Sequence, residues 1–282
     1  MRSLPSPSRD QARDHLTTAL EIYETNGIQH GYQATPAELD SVLALYDAYD
    51  DAYGTAADPL KGQALADALR IAICDGYDFT QSGRKLAAIR VDLMRSVELC
   101  PICGISPPRE LDHHLPRSVF HPLAIYVRNL VPLCHDCNHS KGAALSADPA
   151  QRFVHPYLEA LPDTPFLRAV ATILDNALLV HYVIDEDANL PDLTKLRLSY
   201  QLNRLKLNER YAREINTYLT GHTTALHMCF ESNGAAGIVL FLNEQAEVEF
   251  GAFHRNHWRP LLLRALAGHQ EFCDGGFRNI LS

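Results

Sequence analysis

The chain reads as a mainly α protein built around one small zinc module of strand, strand and helix. Three observations predict this. Apolar residues recur at helical spacing through most of residues 9–98 and again through 193–272. Two Cys-x-x-Cys pairs, Cys100 with Cys103 and Cys134 with Cys137, stand thirty residues apart in the middle of the chain. No internal repeat, low-complexity tract or flexible linker separates them from the flanking helices. Residues 1–98 are therefore expected to form a helical region, 99–148 the zinc module and 149–282 a second, mainly helical region, all packed as one compact unit.

Each element has a local reason. Residues 38–53 place Leu39, Val42, Leu43, Leu45, Tyr46 and Tyr49 at helical spacing behind Pro36, a residue tolerated at a helix start. Asp58-Pro59 breaks the chain, residues 60–74 resume the 3.6 period, and 84–97 form an amphipathic helix that delivers the chain to Cys100. Residues 110–116 read as a strand ending at Pro116, 129–133 as a second strand, and Cys134 onward as a helix ending before Asp148-Pro149. Pro156, Pro162 and Pro165 mark a connection. Residues 166–179 read as helix, with 178–184 β-branched enough for a short strand. Residues 193–219 form one long helix or two, and 238–250 and 258–272 complete the helical set, with Asn256 as an N-cap and Trp258 as a core anchor.

Composition narrows the functional classes. With 282 residues and 46% hydrophobic content the chain can bury a core without disulfides. The opening Met-Arg-Ser-Leu-Pro lacks the apolar core of a signal peptide and no unbroken run of eighteen apolar residues occurs, so a cytoplasmic protein outside the membrane is expected. There the seven cysteines argue for metal ligation, and the unpaired Cys74, Cys229 and Cys273 read as core thiols. The net charge is −9, yet residues 95–145 hold five basic residues against four acidic ones, plus five histidines. A chain this acidic is expected to bind a polyanion weakly when alone. Between Pro36 and Leu60, Glu38, Asp40, Asp47, Asp50, Asp51 and Asp58 occur with no Lys or Arg, either as a solvated helix face or as a docking surface for a basic partner.

The chemistry concentrates between Cys100 and Lys141. Two Cys-x-x-Cys turns complete a closed tetrahedral site of the structural zinc kind, with Pro101 and Gly104 supplying turn chemistry. A purely structural or nucleic-acid-binding zinc ribbon would explain the cysteines but leaves Asp112-His113-His114, Asn129, Asn138 and Lys141 without a purpose. Asp112 and Asn138 offer hard oxygen ligands for Mg²⁺ or Mn²⁺. His113, next to Asp112 on a strand, points to the opposite side and is free to act as a base. His114 and His139 remain alternative ligands. Arg117, Arg128 and Lys141 are candidate phosphate contacts, Lys141 foremost, although each is as readily a solvated charge.

Taken together, Cys100-x-x-Cys103, Asp112-His113, Pro116, Asn129-Leu130, Leu133-Cys134-x-x-Cys137-Asn138 and Lys141 resemble the HNH, or ββα-metal, endonuclease family in its treble-clef-like variant with a four-cysteine zinc. The resemblance covers about forty residues. It implies His113 as general base, Asn129 as the brace of the histidine-bearing loop, Lys141 as a further catalytic residue, and one divalent ion on Asp112 and Asn138. Many members carry histidine where this chain has Asn138. The flanks, Glu110-Leu111-Asp112-His113 and His155-Pro156-Tyr157, resemble the HNH component of Septu-type antiphage systems. That implies a defence effector acting on nucleic acid, DNA before RNA or tRNA, with a partner protein that is an ATPase. The alternative is a zinc-dependent nucleic-acid-binding or adaptor module without catalysis.

Overall fold

The computed structural model describes residues 1–281. The N-terminal region contains α1 (Ala12–Leu20), α2 (Pro36–Asp51), α3 (Asp67–Gly76) and α4 (Ala87–Arg95), with a small hairpin of β1 (Tyr23–Thr25) and β2 (Ile28–His30). α2 starts in a reciprocal cap: the Thr35 side chain accepts from the Glu38 backbone N–H, and the Glu38 carboxylate accepts from Thr35 N–H at 2.9 Å. The helix predicted over 60–74 begins only at Asp67. Before it, Asp58–Lys61 forms a single 3₁₀ turn that ends at Gly62 with φ 65°, a left-handed stop. The hairpin replaces part of the predicted all-helical run because Asn26-Gly27, at φ 55° and 74°, makes a tight turn of the kind that joins antiparallel strands.

The central region is short. β3 (Glu110–His113) pairs antiparallel with β4 (Leu130–Leu133), Glu110 opposite Leu133 and His113 opposite Leu130, and α5 (His135–Lys141) follows at once. Strand, strand and helix therefore occur in the order expected, with Asn129 in the turn before β4 rather than in the strand.

The C-terminal region departs from the sequence reading at its start. Residues 166–179 are not helical: β5 (Leu167–Leu174) and β6 (Ala177–Ile184) form an eight-residue antiparallel hairpin. Asp175-Asn176, at φ 51° and 62°, turns the chain, and alternating burial along β5 leaves one face solvated, a pattern the β-branched Val170, Thr172 and Ile173 favour. Then come α6 (Asp192–Arg204) and α7 (Leu207–Thr220), two helices divided at Lys206 with φ 50°. α8 (Thr223–Ala252) spans 30 residues and is broken by non-helical Asn233 and Gly234. By length and composition α8 is apolar enough to cross a membrane, although the sequence has no unbroken apolar run of that length. α9 (Trp258–Ala267) and α10 (Phe277–Ile280) follow, joined by a π turn at Phe272–Gly276, so the last predicted helix is divided. Asn256 is not the cap of α9. His257 is, accepting from Arg259 N–H at 3.3 Å, while Asn256 Oδ1 accepts from Phe166 and Leu167 N–H at 2.7 and 3.0 Å and ties β5 to α9.

Two hydrophobic cores result. One gathers Leu16, Val42, Tyr46, Leu69 and Ile73 from the N-terminal helices with Leu111, Leu115 and Leu130. The other gathers Leu198, Tyr211, Leu242, Trp258 and Leu262 with Val131, Leu133 and the four paired cysteines. Strand alternation sends Leu130 into the first and Val131 into the second, so the central module bridges both. Of the three lone thiols, Cys273 is buried as expected, whereas Cys74 and Cys229 are only half-buried.

Candidate functional site

The four cysteines converge. All Sγ atoms of Cys100, Cys103, Cys134 and Cys137 lie within 4.8 Å of one another, and all four residues are buried. Cys103 and Cys134 Sγ are 3.6 Å apart. Zn–S bonds of about 2.3 Å in a tetrahedron require sulfur separations of about 3.8 Å, so the cluster fits zinc. The first turn folds back through Gly104 N–H to Cys100 O at 2.9 Å, with Gly104 at φ 65°, and Ile105 N–H donates to Cys103 Sγ at 3.4 Å. Cys134 occupies the position just before α5 and Cys137 sits in its first turn. Hydrogen bonds from Cys100 and Cys103 pull the Cys134 thiol down, while burial pushes Cys100 up.

From α7, Arg210 donates to Cys137 Sγ at 3.1 Å and to Cys134 Sγ at 3.5 Å. A guanidinium there offsets the negative charge that four thiolates carry around a divalent ion. Tyr211 OH donates to Cys103 O at 3.1 Å and His257 Nε2 to Gly104 O at 2.9 Å, so α7 and α9 clamp the knuckle from the C-terminal side.

Alternation on β3 sorts the remaining polar residues. Glu110 and Asp112 face α5. Asn138 Nδ2 donates to Glu110 at 2.6 Å, and the Glu110 carboxylate pairs with His135 Nδ1 at 2.8 Å. Those two bonds, His135 first, hold Glu110 below the usual carboxylate range. Lys141 is 3% exposed; its Nζ donates to His113 O at 2.8 Å and pairs with Asp112 at 2.9 Å. Burial pushes the Asp112 carboxyl up, and Lys141 offsets part of this.

His113 faces the other way, as the alternation predicted. Its Nε2 donates to Ala124 O at 2.9 Å; a carbonyl only accepts, so the proton sits on Nε2 and Nδ1 keeps its lone pair. Burial lowers its pKa to about 4, which leaves the ring neutral near pH 7. The Tyr77 ring lies 4.5 Å away, fixed by Tyr77 OH to Leu111 O at 2.9 Å. Arg117 sits over that ring at 4.8 Å and donates to Cys74 O at 3.3 Å.

Asn129 is fully buried and makes four hydrogen bonds. Oδ1 accepts from Leu115 N–H at 2.8 Å and Tyr49 OH at 3.0 Å; Nδ2 donates to Leu115 O and Leu123 O, each at 3.1 Å. Both ends of the loop after His113 thus hang on one amide. Behind it, the Tyr49 hydroxyl lies 2.8 Å from His155 Nε2, and the His155 ring meets His114 at 4.2 Å.

Asp112, His113, Asn129 and Lys141 therefore gather where β3 ends, whereas Asn138 is bonded to Glu110 at the start of that strand. Among the described residues, the His139 ring meets that of His135 at 5.9 Å and no ligand residue of the Asp112 cluster. The candidate phosphate contacts are not equivalent. Arg128 is bound to Asp50 at 2.6 Å and Pro7 O at 3.0 Å, and Lys141 is buried against Asp112, whereas Arg117, near His113, pairs at 3.8 Å with the exposed Asp78. The acidic stretch is partly neutralised from outside its own sequence: Arg9 pairs with Asp47 and Asp50, and Arg13 with Asp40. Asp50 also accepts from Tyr126 OH at 2.7 Å, so it is an internal anchor and not a free docking charge.

Sequence reasoning had not given Glu110 a role in the cluster, although period-two alternation from Asp112 would have found it. His155 carries a signal only through the His155-Pro156-Tyr157 flank, while Tyr49, Tyr77 and Arg210 lie too far along the chain for any local signal.

No protein-family model matches the chain, and no solved structure does. Protein ea31 of Escherichia phage lambda is 25% identical over 198 residues, which span 65% of this chain and 66% of that protein, just under two thirds of its length.

Proposed function

We propose that the chain is a metal-dependent HNH endonuclease whose ββα-metal module is formed by β3, β4 and α5. The observation that carries the reading is the sorting on β3: Glu110 and Asp112 lie on the α5 side, the first bonded to Asn138 and the second to Lys141, while neutral His113 keeps its Nδ1 lone pair on the opposite side. Asp112 and the Asn138 amide oxygen, with Glu110 beside them, are the hard donors that would hold Mg²⁺ or Mn²⁺. When bound, such an ion stabilises charge on the phosphate and on the leaving oxygen. His113 Nδ1 takes the proton of the attacking water, and Arg117 holds a phosphate oxygen next to it. Asn129 keeps the loop at a fixed distance from β3. The four cysteines hold zinc structurally, and Lys141 keeps Asp112 ionised within the protein.

His113→Ala tests this. Cleavage of DNA, and of RNA and tRNA run in parallel, falls by about 10²–10⁴ while zinc content and thermal melting stay unchanged. A His113→Ala protein that cuts at the original rate sinks the assignment.

One observation favours the second reading, a zinc module that binds nucleic acid or protein without catalysis. Asp112 is already neutralised by a buried ammonium. Absence of any Mg²⁺- or Mn²⁺-dependent shift in melting would favour it. A cytoplasmic role in antiphage defence, with an ATPase partner, remains part of the proposal through the Septu resemblance. Its motivation is the net charge of −9, which opposes unaided approach to a polyanion. Asp47 and Asp51 are the residues to reverse in a test of docking, since Asp50 is structural; retained co-purification of a partner would exclude that surface.

A further inference from the structure

A cavity of about 250 Å³ opens beside His114, at the junction of all three regions of the chain. Gly54 and Thr55 after α2 form one wall, His114 and Leu115 the floor, and Gln151, Phe153 and Leu193 the far side. Phe153 also lies 5.8 Å below the Lys141 ammonium, so the cavity adjoins the Asp112 side of the proposed catalytic centre.

Its two guanidinium groups are held by the protein. Arg152 donates Nε and Nη2 to Ser146 O and Ala147 O of its own loop at 3.2 Å each, and Arg197 donates to Phe153 O at 2.6 Å and pairs with the Glu159 carboxylate at 2.7 Å. Among the described residues, the ring nitrogens of His114 accept or donate no protein hydrogen bond, and the ring meets His155 at a tilt of 43°. The cavity thus presents apolar walls, one flat aromatic ring with free hydrogen-bonding edges, and the Gln151 amide. Its volume lies below the roughly 300–1,000 Å³ of pockets for drug-sized ligands, enough for one planar heterocycle and not for a base pair.

We infer that this cavity receives one unpaired nucleobase of the substrate, extruded or single-stranded, with His114 and Gln151 at its edge and Phe153 at its face. This rests on the nuclease reading above and names the substrate form: a strand locally free of pairing. Enzymes that act on nucleic acid commonly hold an unstacked base by edge hydrogen bonds and apolar stacking. The His114, His155, Tyr49 and Asn129 chain connects an occupied cavity to the loop that follows His113.

The test uses the full zinc-loaded chain and two rim substitutions, Leu145→Trp and Leu193→Trp, at positions 45% and 46% exposed, where a larger side chain can be accommodated without disturbing the core. Free nucleosides, which carry no phosphate, give saturable shifts of the His114 ring resonances in the wild type and none in the filled variants. A single-stranded oligonucleotide is cut about tenfold or more slowly when one abasic residue replaces the base beside the scissile bond, consistent with loss of one stacked base. The filled variants cut intact and abasic oligonucleotides alike, at the slow rate. Absence of nucleoside shifts in the wild type, or filled variants that still prefer the intact strand, overturns the inference. If nucleosides bind but the wild type cuts neither strand, the nuclease reading fails and the nucleobase site stands.

Discussion

His155 gives the sharpest stability prediction because both of its nitrogens are committed to one protonation state. Nδ1 accepts from Tyr157 and Leu158 N–H at 3.1 and 3.3 Å, while Nε2 faces the Tyr49 hydroxyl, whose own proton goes to Asn129. The neutral Nε2–H tautomer satisfies every group. Protonating Nδ1 would aim a third N–H at two donors inside a residue that is 0% exposed. Burial accordingly lowers the pKa from 6.5 to about 3.

A folded-state pKa below the unfolded one means that the stability is complete above 6.5 and drains away as pH falls toward 3. At pH 5 the unfolded ring is charged and the folded one is not, a gap of about 1.5 pH units, or about 2 kcal/mol. The assay is urea unfolding at about pH 7.5 and pH 5 for the wild type and His155→Gln, with zinc content measured at each pH. Buried histidines that do not touch position 155 titrate in both proteins and cancel. The wild type should lose about 2 kcal/mol more than the variant over this interval. Equal pH dependence in the two proteins would refute the burial argument.

Three further outcomes follow from the packing. Gly54→Ala places a methyl 2.2 Å from His155 Cδ2 at a residue with φ 73°, so denaturant melts should show a loss of about 2–5 kcal/mol, and an unchanged midpoint would contradict the contact. Asn129→Ala strands Leu115 N–H and two carbonyls in the interior; a loss of about 3–5 kcal/mol is expected by the same measurement, with a cost under 1 kcal/mol excluding the bracing role. Metal analysis should find about one zinc per chain, and Cys134→Ser should release it together with the cooperative melt; a well-folded, zinc-free protein would show that the cysteines are not a structural site.

The zinc cluster was legible in the sequence because each Cys-x-x-Cys turn is local: four residues suffice to aim two thiolates at one point. β3 was legible for a similar reason, since alternation alone separates Asp112 from His113. The 167–184 hairpin was not, because a short apolar run with some β-branching is compatible with either period, and the Asp175-Asn176 turn outweighed helical spacing once β5 could pack on α9. The acidic stretch misled for the opposite reason. Its counter-charges, Arg9, Arg13 and Arg128, come from before α2 and from the loop before β4, distances over which sequence carries no pairing information.

What the residues determined by themselves were groups set by bonds along the chain: ligand spacing, strand face, and the cap of α2. What only tertiary structure decided was how far each group is committed. Lys141, Arg128 and Arg117 all carry a positive charge, but the first two are held against Asp112 and Asp50, carboxylates largely removed from water, whereas the third meets the exposed Asp78 at 3.8 Å. The reason is that a charge taken out of water must find its partner in the fold, and that partner is chosen by packing between distant segments rather than by neighbours in sequence.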